Sequence, residues 1–480
     1  MPSALKRERT GVLTARQLAD QAFSRAAGAP LMEGNAAHIL KDAQENYPAW
    51  LYAIRSARKW VHFESYIIHD DEAGEQFAEA LIEKARQDVP VRLIYDWLGG
   101  LGKTSPSFWR RLLKGGVDVR CYNPPRPDSP LGWVSRDHRK MLSVDGEIAF
   151  VTGLCVGRMW VGYPERGIAP WRDTGVEVRG PAVADIEEAF AQVWAATGGS
   201  PLDSTASLEG TIAPAGDMAL RIVATVPNTA GLFRLDQLIA AMARKRLWLT
   251  DAYYAGTASF VQALRGAAKD GVDVRLLVPN GTDIAILRPL SRAGYRPLLE
   301  AGVRVFEWTG PMLHAKTAVT DGIWSRVGST NLNIASWMGN YELDVMVEDE
   351  RFASAMEQMY LDDLDNATEV VLDERSRLRV PGQVAPPAMR RGRGSAGRAA
   401  AGAIRIGNTI GAAISNRRVL EPIEGRLMVT SGFLLLGLAL LFWFFPSSLG
   451  YFFAVLAVWF GLAFVYRGSR LLREARNKRE

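Results

Sequence analysis

His138-Arg139-Lys140-Met141-Leu142-Ser143-Val144-Asp145 and His314-Ala315-Lys316-Thr317-Ala318-Val319-Thr320-Asp321 are two copies of one pattern, His-x-Lys-x-x-x-x-Asp. The only other histidines in the chain are His38, His62 and His69. Side chains alternate along a strand, so a His and a Lys two apart share a face. The apolar run after each His reads as a strand, Lys140–Val144 in the first copy, with a second strand Ile148–Thr152 behind it. Each Asp then falls at a turn beyond its strand, where structural hydrogen bonding is the expected role. Two copies of a site-sized motif in two similar halves point to one active site shared between them.

Outward from the motifs, the halves repeat one order of elements. In the first, a helix around Asn46–Arg58 precedes a strand-like run Trp60–Ile68. Helix Ala73–Gln87, strand Val91–Trp97, helix Ser107–Lys114 and strand Val117–Tyr122 follow. In the second, helix Leu235–Arg246 precedes strand Leu247–Tyr253. Helix Thr257–Lys269, strand Val272–Val278, helix Tyr295–Ala301 and strand Val303–Trp308 come next. Phrases match as well: Pro90-Val91-Arg92-Leu93-Ile94 with Asp273-Val274-Arg275-Leu276-Leu277, and Gly116-Val117-Asp118-Val119-Arg120 with Gly302-Val303-Arg304-Val305-Phe306. The β-α-β order in each half predicts an α/β class, with two similar sheet domains packed on one another as a pseudo-dimer.

A chain of 480 residues exceeds one ordinary domain. Its formal net charge of +5 is too small to imply nucleic acid by itself, and none is expected as a partner. The basic excess is local: no Asp or Glu occurs from Arg375 to Leu420, a stretch crowded with Arg, Gly, Ala and Pro that reads as a solvated linker. Leu427–Phe445 and Tyr451–Tyr466 are uncharged on either side of Pro446-Ser447-Ser448-Leu449-Gly450. They read as a transmembrane helical hairpin. Arg417, Arg418 and Arg426 before it, and Arg467, Arg470 and Arg473 after it, place both ends in the cytoplasm. Met1–Leu31 has no apolar core and so does not resemble a secretory signal. Cys121 and Cys155 have no metal-ligand spacing and are expected to be reduced and structural. The expected plan is an N-terminal extension (1–30), two α/β domains (31–200 and 201–373), a linker (374–425), a hairpin (426–467) and a basic tail (468–480). The catalytic domains would lie on the cytoplasmic side of the membrane.

At neutral pH a histidine attacks phosphorus or hands a proton to a leaving oxygen, and two facing one phosphate do both. A lysine on each side neutralises the phosphate. With these residues in place, the chain resembles the phospholipase D superfamily, and within it the bacterial cardiolipin synthases, over about residues 30–370. The second motif is complete: Gly328, Ser329 and Asn331 follow Asp321 at the family's spacing, and Asn340-Tyr341-Glu342 matches the segment whose Glu supports the catalytic His. Trp171-Arg172-Asp173-Thr174 resembles the phrase that carries the first half's acid. His62-Phe63-Glu64-Ser65-Tyr66 and Tyr95-Asp96-Trp97 resemble the family's strand segments.

The resemblance implies a phosphatidyltransferase working through a phosphohistidine, with His138 as nucleophile and His314 as acid and base. Lys140, Lys316 and Asn331 would hold the phosphate, Ser329 would support it, and Asp173 and Glu342 would orient the imidazoles. Asp145 and Asp321 complete the two candidate catalytic sets. No cofactor or metal is implied. The implied substrate is a membrane phospholipid, phosphatidylglycerol, and the implied product is cardiolipin. A phospholipase-type hydrolase or headgroup-exchange enzyme would use the same chemistry, and a nuclease is a more distant alternative. The first half departs from the pattern at Thr152-Gly153-Leu154-Cys155, where Cys155 stands in place of the Asn.

Weaker signals add little. Gly99-Gly100-Leu101-Gly102-Lys103-Thr104 lacks the first glycine of a phosphate loop, Trp97 standing there instead. His62 and His69 read as structural or rim residues. Trp133, Trp160, Trp171, Trp324 and Trp337 fall near the motifs, with the core as their default place and an acyl-chain groove as the alternative.

Overall fold

This computed structural model describes residues 15–125, 135–202, 212–284 and 287–372, with the isolated positions 378–379, 450–451, 458–459 and 462. The expected linker, hairpin and tail lie outside the described residues apart from those positions. Among the described residues no helix is long and apolar enough to cross a membrane.

The first half contributes strands β1 (Met32–Lys41), β2 (Val61–Ser65), β3 (Val91–Asp96), β4 (Asp118–Tyr122), β5 (Arg136–Asp137), β6 (Lys140–Val144), β7 (Ile148–Thr152) and β8 (Thr174–Arg179). The second contributes β9 (Met218–Thr225), β10 (Arg246–Thr250), β11 (Asp273–Pro279), β12 (Arg304–Trp308), β13 (Thr317–Thr320), β14 (Trp324–Gly328), β15 (Asn340–Glu348) and β16 (Ala367–Leu372). In each half three parallel strands are joined through helices, and antiparallel strands carry the motif. β2 pairs with β3 and β3 with β4 in parallel, while β6 runs antiparallel to β2 and β7, with Ser65 opposite Lys140. β10, β11, β12, β13 and β14 repeat this arrangement. β1 joins the halves, its far end on β8 and its near end on β9, which pairs in turn with β15. The result is one large mixed sheet system with two similar α/β regions.

The core lies in three layers. A central cluster draws on both halves, with Val176, Val178, Phe190 and Trp194 against Leu220, Leu343, Val345 and Phe352. One outer cluster, including Trp50, Phe63 and Phe77, covers the first sheet, and another, including Leu235, Phe260 and Leu264, covers the second. Burying apolar side chains on both faces of a sheet is what permits its parallel strands.

Two helices end earlier than the sequence pattern predicts, and for one reason. The first spans Asp42–Ser56 rather than running to Arg58, and its counterpart spans Gly231–Met242 rather than running to Arg246. In the first half, Asp145 accepts hydrogen bonds from the backbone N–H of Arg58, Lys59 and Trp60. In the second, Asp321 accepts from those of Arg244, Lys245 and Arg246. The motif aspartates thus pull the chain out of the helix and aim it into β2 and β10. Both have φ near +55° and are followed by a glycine at positive φ, the backbone of a tight hairpin turn.

The segment expected to be a plain N-terminal extension carries a helix, Ala15–Ala27. Phe23, Ala26 and Ala27 pack on the second half's core, and Asp20 pairs with Arg221 at 2.8 Å.

Candidate active site

The two motifs meet where the halves touch. Tyr341 lies beside Asp137 in a short parallel pairing of β15 with β5, and the His138 N–H donates to the Tyr341 carbonyl at 2.9 Å. In mirror fashion Arg172 bridges Leu313 in parallel, and the His314 N–H donates to the Arg172 carbonyl at 2.7 Å. Each histidine is therefore placed by the backbone of the opposite half, one residue from that half's acid.

Those acids complete the exchange. His138 Nδ1 sits 2.8 Å and 3.0 Å from the two oxygens of Glu342. His314 Nδ1 sits 2.7 Å from Asp173 Oδ2. Glu342 also accepts from Ser329 Oγ at 2.6 Å and from Asn340 Nδ2 at 3.0 Å. Asp173 accepts from the Thr174 N–H at 2.8 Å and from Trp160 Nε1 at 3.2 Å. A carboxylate on Nδ1 fixes the tautomer and leaves Nε2 as the nitrogen for chemistry.

The site is dry and positive. Lys140 and Lys316 are each 1% exposed, His138 and His314 only 9% and 5%. Burial lowers His138 to about 4 against the pull of Glu342, and burial, with Lys316 next, lowers His314 as well. Lys316 acts on His138, and Lys140 on His314, so both ammonium groups serve one space. Burial brings Lys316 itself down to about 8, with Asp173 opposing and Lys140 adding. Burial pushes both carboxyls up, but the charges around them win. His138, Lys140 and Ser329 hold Glu342 below its ordinary range, and His314, Lys316 and the Thr174 N–H do the same for Asp173.

The structure thus gathers His138, Lys140, His314, Lys316, Asp173 and Glu342, with Ser329 on Glu342. Asn331 is 3% exposed, and its Oδ1 has no hydrogen-bond partner among the described residues. Asp145 and Asp321, grouped with the catalytic sets in the sequence, do not join them. Five residues of strand put each about 16 Å from its lysine, and their carboxylates are occupied by backbone N–H groups.

Sequence reasoning placed Trp160 and Trp171 near the motifs but assigned no role to Tyr66 and Tyr253. Tyr66 meets His138 edge-on at 4.9 Å and Tyr253 meets His314 at 5.7 Å. The Lys140 and Lys316 ammonium groups lie 5.1 Å and 5.8 Å from the same two rings. Trp160 and Trp171 flank His314 at 5.6 Å and 5.7 Å. The signal was present, since Tyr66 and Tyr253 both follow the strands that pair with the motif strands. His62, by contrast, is sealed against Glu187 at 2.5 Å and stacks on Phe190. The glycine-rich loop is closed to phosphate: Asp96 already takes the N–H groups of Leu98 and Gly99. Among the described residues no group of three or more His, Cys, Asp or Glu is arranged to hold a metal ion.

Comparisons with known proteins identify the family. The family described as "Cardiolipin synthase, PLD-like domain" matches residues 51–194 and 236–364. Cardiolipin synthase A of Pseudomonas fluorescens (strain SBW25) is 34% identical over 362 residues, 73% of this chain and 73% of that protein. Cardiolipin synthase of Halalkalibacterium halodurans is 30% identical over 366 residues, 75% of this chain and 72% of that protein. Among solved structures, phosphatidylserine synthase of Haemophilus influenzae Rd KW20 has the same fold. Its TM-score is 0.59 at 12% identity, over 73% of this chain and 92% of that one. Its two halves, its paired motifs and its relatives together make this chain an enzyme of the phospholipase D superfamily, a member of the cardiolipin synthase family.

Proposed function

We propose that the protein is a phosphatidyltransferase that joins two phosphatidylglycerols into cardiolipin and releases glycerol. The observation that carries this is the crossed pairing of each imidazole with the other half's carboxylate beside two buried lysines. His138 Nε2 attacks the phosphorus of one phosphatidylglycerol. The P–O bond to glycerol breaks, and His314 delivers its proton to the departing oxygen. The terminal hydroxyl of a second phosphatidylglycerol then returns a proton to His314 and attacks the phosphohistidine, which frees His138. Lys140 and Lys316 neutralise the phosphate in both steps, and the Asn331 amide donates a hydrogen bond to it. Glu342 and Asp173 fix the ring orientations and stabilise whichever imidazole is positive. The names of the relatives support cardiolipin as the product.

We extend the reading to the whole chain. Domains 31–200 and 201–373 do the chemistry on the cytoplasmic face of a bacterial inner membrane, and the hairpin at 426–467 anchors them where donor and acceptor reside.

The test is lipid mass spectrometry on a bacterium without its own cardiolipin synthases, expressing the full chain or its His138→Ala or His314→Ala form. Cardiolipin formed only by the intact protein is the expected result. Phosphatidic acid or a new headgroup without cardiolipin would replace the reading with a hydrolase or an exchange enzyme.

A further inference from the structure

The two acids that orient the histidines are superimposable in register but are not supported alike. Thr152 lies opposite Gly175 in the β7–β8 pairing as Gly328 lies opposite Asp344 in the β14–β15 pairing, which makes Asp173 the counterpart of Glu342 and Gly153 the counterpart of Ser329. Backbone bonds repeat the equivalence: Gly153 N–H donates to the Thr174 carbonyl as Ser329 N–H donates to that of Leu343.

In the second half the serine works on both sides. Its hydroxyl donates to Glu342 and accepts from the Leu343 N–H at 3.0 Å. In the first half that hydroxyl is missing, and the shorter Asp173 has moved into its place. Asp173 Oδ1 itself accepts from the Thr174 N–H, the counterpart of the Leu343 bond. A Cβ on Gly153 would collide with Asp173 Oδ1. The remaining oxygen, Oδ2, holds His314 and would lack a second donor but for Trp160, whose indole nitrogen lies 3.2 Å away. Trp160 is 2% exposed, with its ring edge-on to His314 and Trp171.

We propose that Trp160, together with the absent side chain at Gly153, replaces the serine of the second half: its indole N–H positions Asp173 and, through it, the His314 imidazole. Trp160 touches neither substrate nor reacting atoms in this scheme, so it is a positioning residue for the transfer proposed above, on which the inference rests. The charged groups acting on His314 are Asp173, Lys316 and Lys140. Trp160→Phe alters none of them and keeps an aromatic ring in place. It removes one donor, so negative charge concentrates on Asp173 and the imidazolium form of His314 gains.

The experiment uses the full-length protein in phosphatidylglycerol vesicles, with kcat, KM and pH profiles measured beside thermal unfolding. Trp160→Phe is expected to lower kcat roughly tenfold, since a hydrogen bond to a charged group is lost, with KM within about twofold. The limb of the profile set by proton loss from His314 should move to higher pH. An unchanged kcat and an unmoved limb would overturn the role of Trp160. A second set keeps the test independent of that variant's folding. Gly153→Ser and Asp173→Glu should each cost about a hundredfold, and the double variant, which rebuilds the second half's pair, should recover at least about tenfold over the worse single one. A double variant no better than the worse single one would overturn the exchange. Wild-type protein that makes no cardiolipin under these conditions would instead overturn the proposed function, while the same variants read against any phosphodiester it does cleave would still decide the role of Trp160.

Discussion

The two halves of this molecule present the same histidine and lysine at the head of equivalent strands, β6 and β13, yet support the opposite half's histidine with different parts. The second half uses Glu342, Ser329 and Asn331. The first uses Asp173, Trp160 and a gap at Gly153, and puts the buried thiol of Cys155 where the second half has an amide. Beyond the strand that pairs with the motif, the second half carries Asp251, pushed by burial to about 7 and acting on Lys316. The difference teaches which parts the chemistry fixes. The histidines and lysines are duplicated, whereas the groups around them are exchangeable as long as an imidazole Nδ1 receives a carboxylate.

The sharpest way to break the symmetry is at the histidines. His138→Ala and His314→Ala should each reduce turnover by about a thousandfold or more. They should differ with a phosphatidyl donor whose leaving group needs no proton. His314→Ala is expected to form a phosphohistidine that mass spectrometry finds on His138, and His138→Ala to form none. Label on His314 in both wild type and the His138 variant would reverse the roles of the halves.

The amide and thiol should be next. Asn331→Ala is expected to cost roughly a hundredfold in kcat/KM, the effect of losing one donor aimed at developing charge. Cys155→Ala should stay within about threefold, because a buried thiol behaves as a small apolar group. Equal losses at the two positions would show that the halves share the phosphate evenly.

How much of this was legible without coordinates depended on the range of the interaction. The His–Lys pairs were located by their two-residue spacing, which is local, although the histidines lie just ahead of β6 and β13 rather than on a strand. Most helices and strands of the repeat were legible for the same reason. The strand β1, Met-Glu-Gly-Asn-Ala-Ala-His-Ile-Leu-Lys over 32–41, was not, since its Ala, Asn and Gly carry little strand preference and its place is set by pairing with β8 and β9. The crossing of each histidine to the other half's acid was hidden as well. It depends on two short parallel contacts, Asp137 beside Tyr341 and Leu313 beside Arg172, whose partners are far apart in sequence. The helix ends were misjudged because their terminator, Asp145 or Asp321, lies some 75–87 residues downstream.

A pH measurement sharpens the contrast between the lysines' surroundings. Lys316 titrates at about 8 because burial disfavours its charge. Above that pH the ammonium is lost, and with it one of the charges facing the phosphate. The decline of kcat/KM should therefore steepen above about pH 8 in the wild type. Lys316→Arg, which keeps its charge at any accessible pH, should lower kcat/KM but remove the extra steepening. Its persistence in the arginine variant would assign it to another group.

The smallest effect on chemistry is expected at the most conspicuous residues of the repeat, its aspartates. Asp145→Ala and Asp321→Ala should leave activity per folded molecule within about twofold, because neither carboxylate reaches the histidines. Their cost should appear in stability. Each substitution strands three backbone N–H groups, and an unsatisfied buried donor costs about 1–3 kcal/mol. At Asp145 all three bonds are partly buried, whereas at Asp321 two of the three are open to solvent, which replaces the lost acceptor. Thermal unfolding of Asp145→Ala should therefore begin at lower temperature than that of Asp321→Ala. A loss of turnover in either variant without loss of folded protein would return the aspartates to the catalytic set. The predicted ordering would show instead that the repeat preserves its eighth position for the turn it builds, and its first and third for the phosphate.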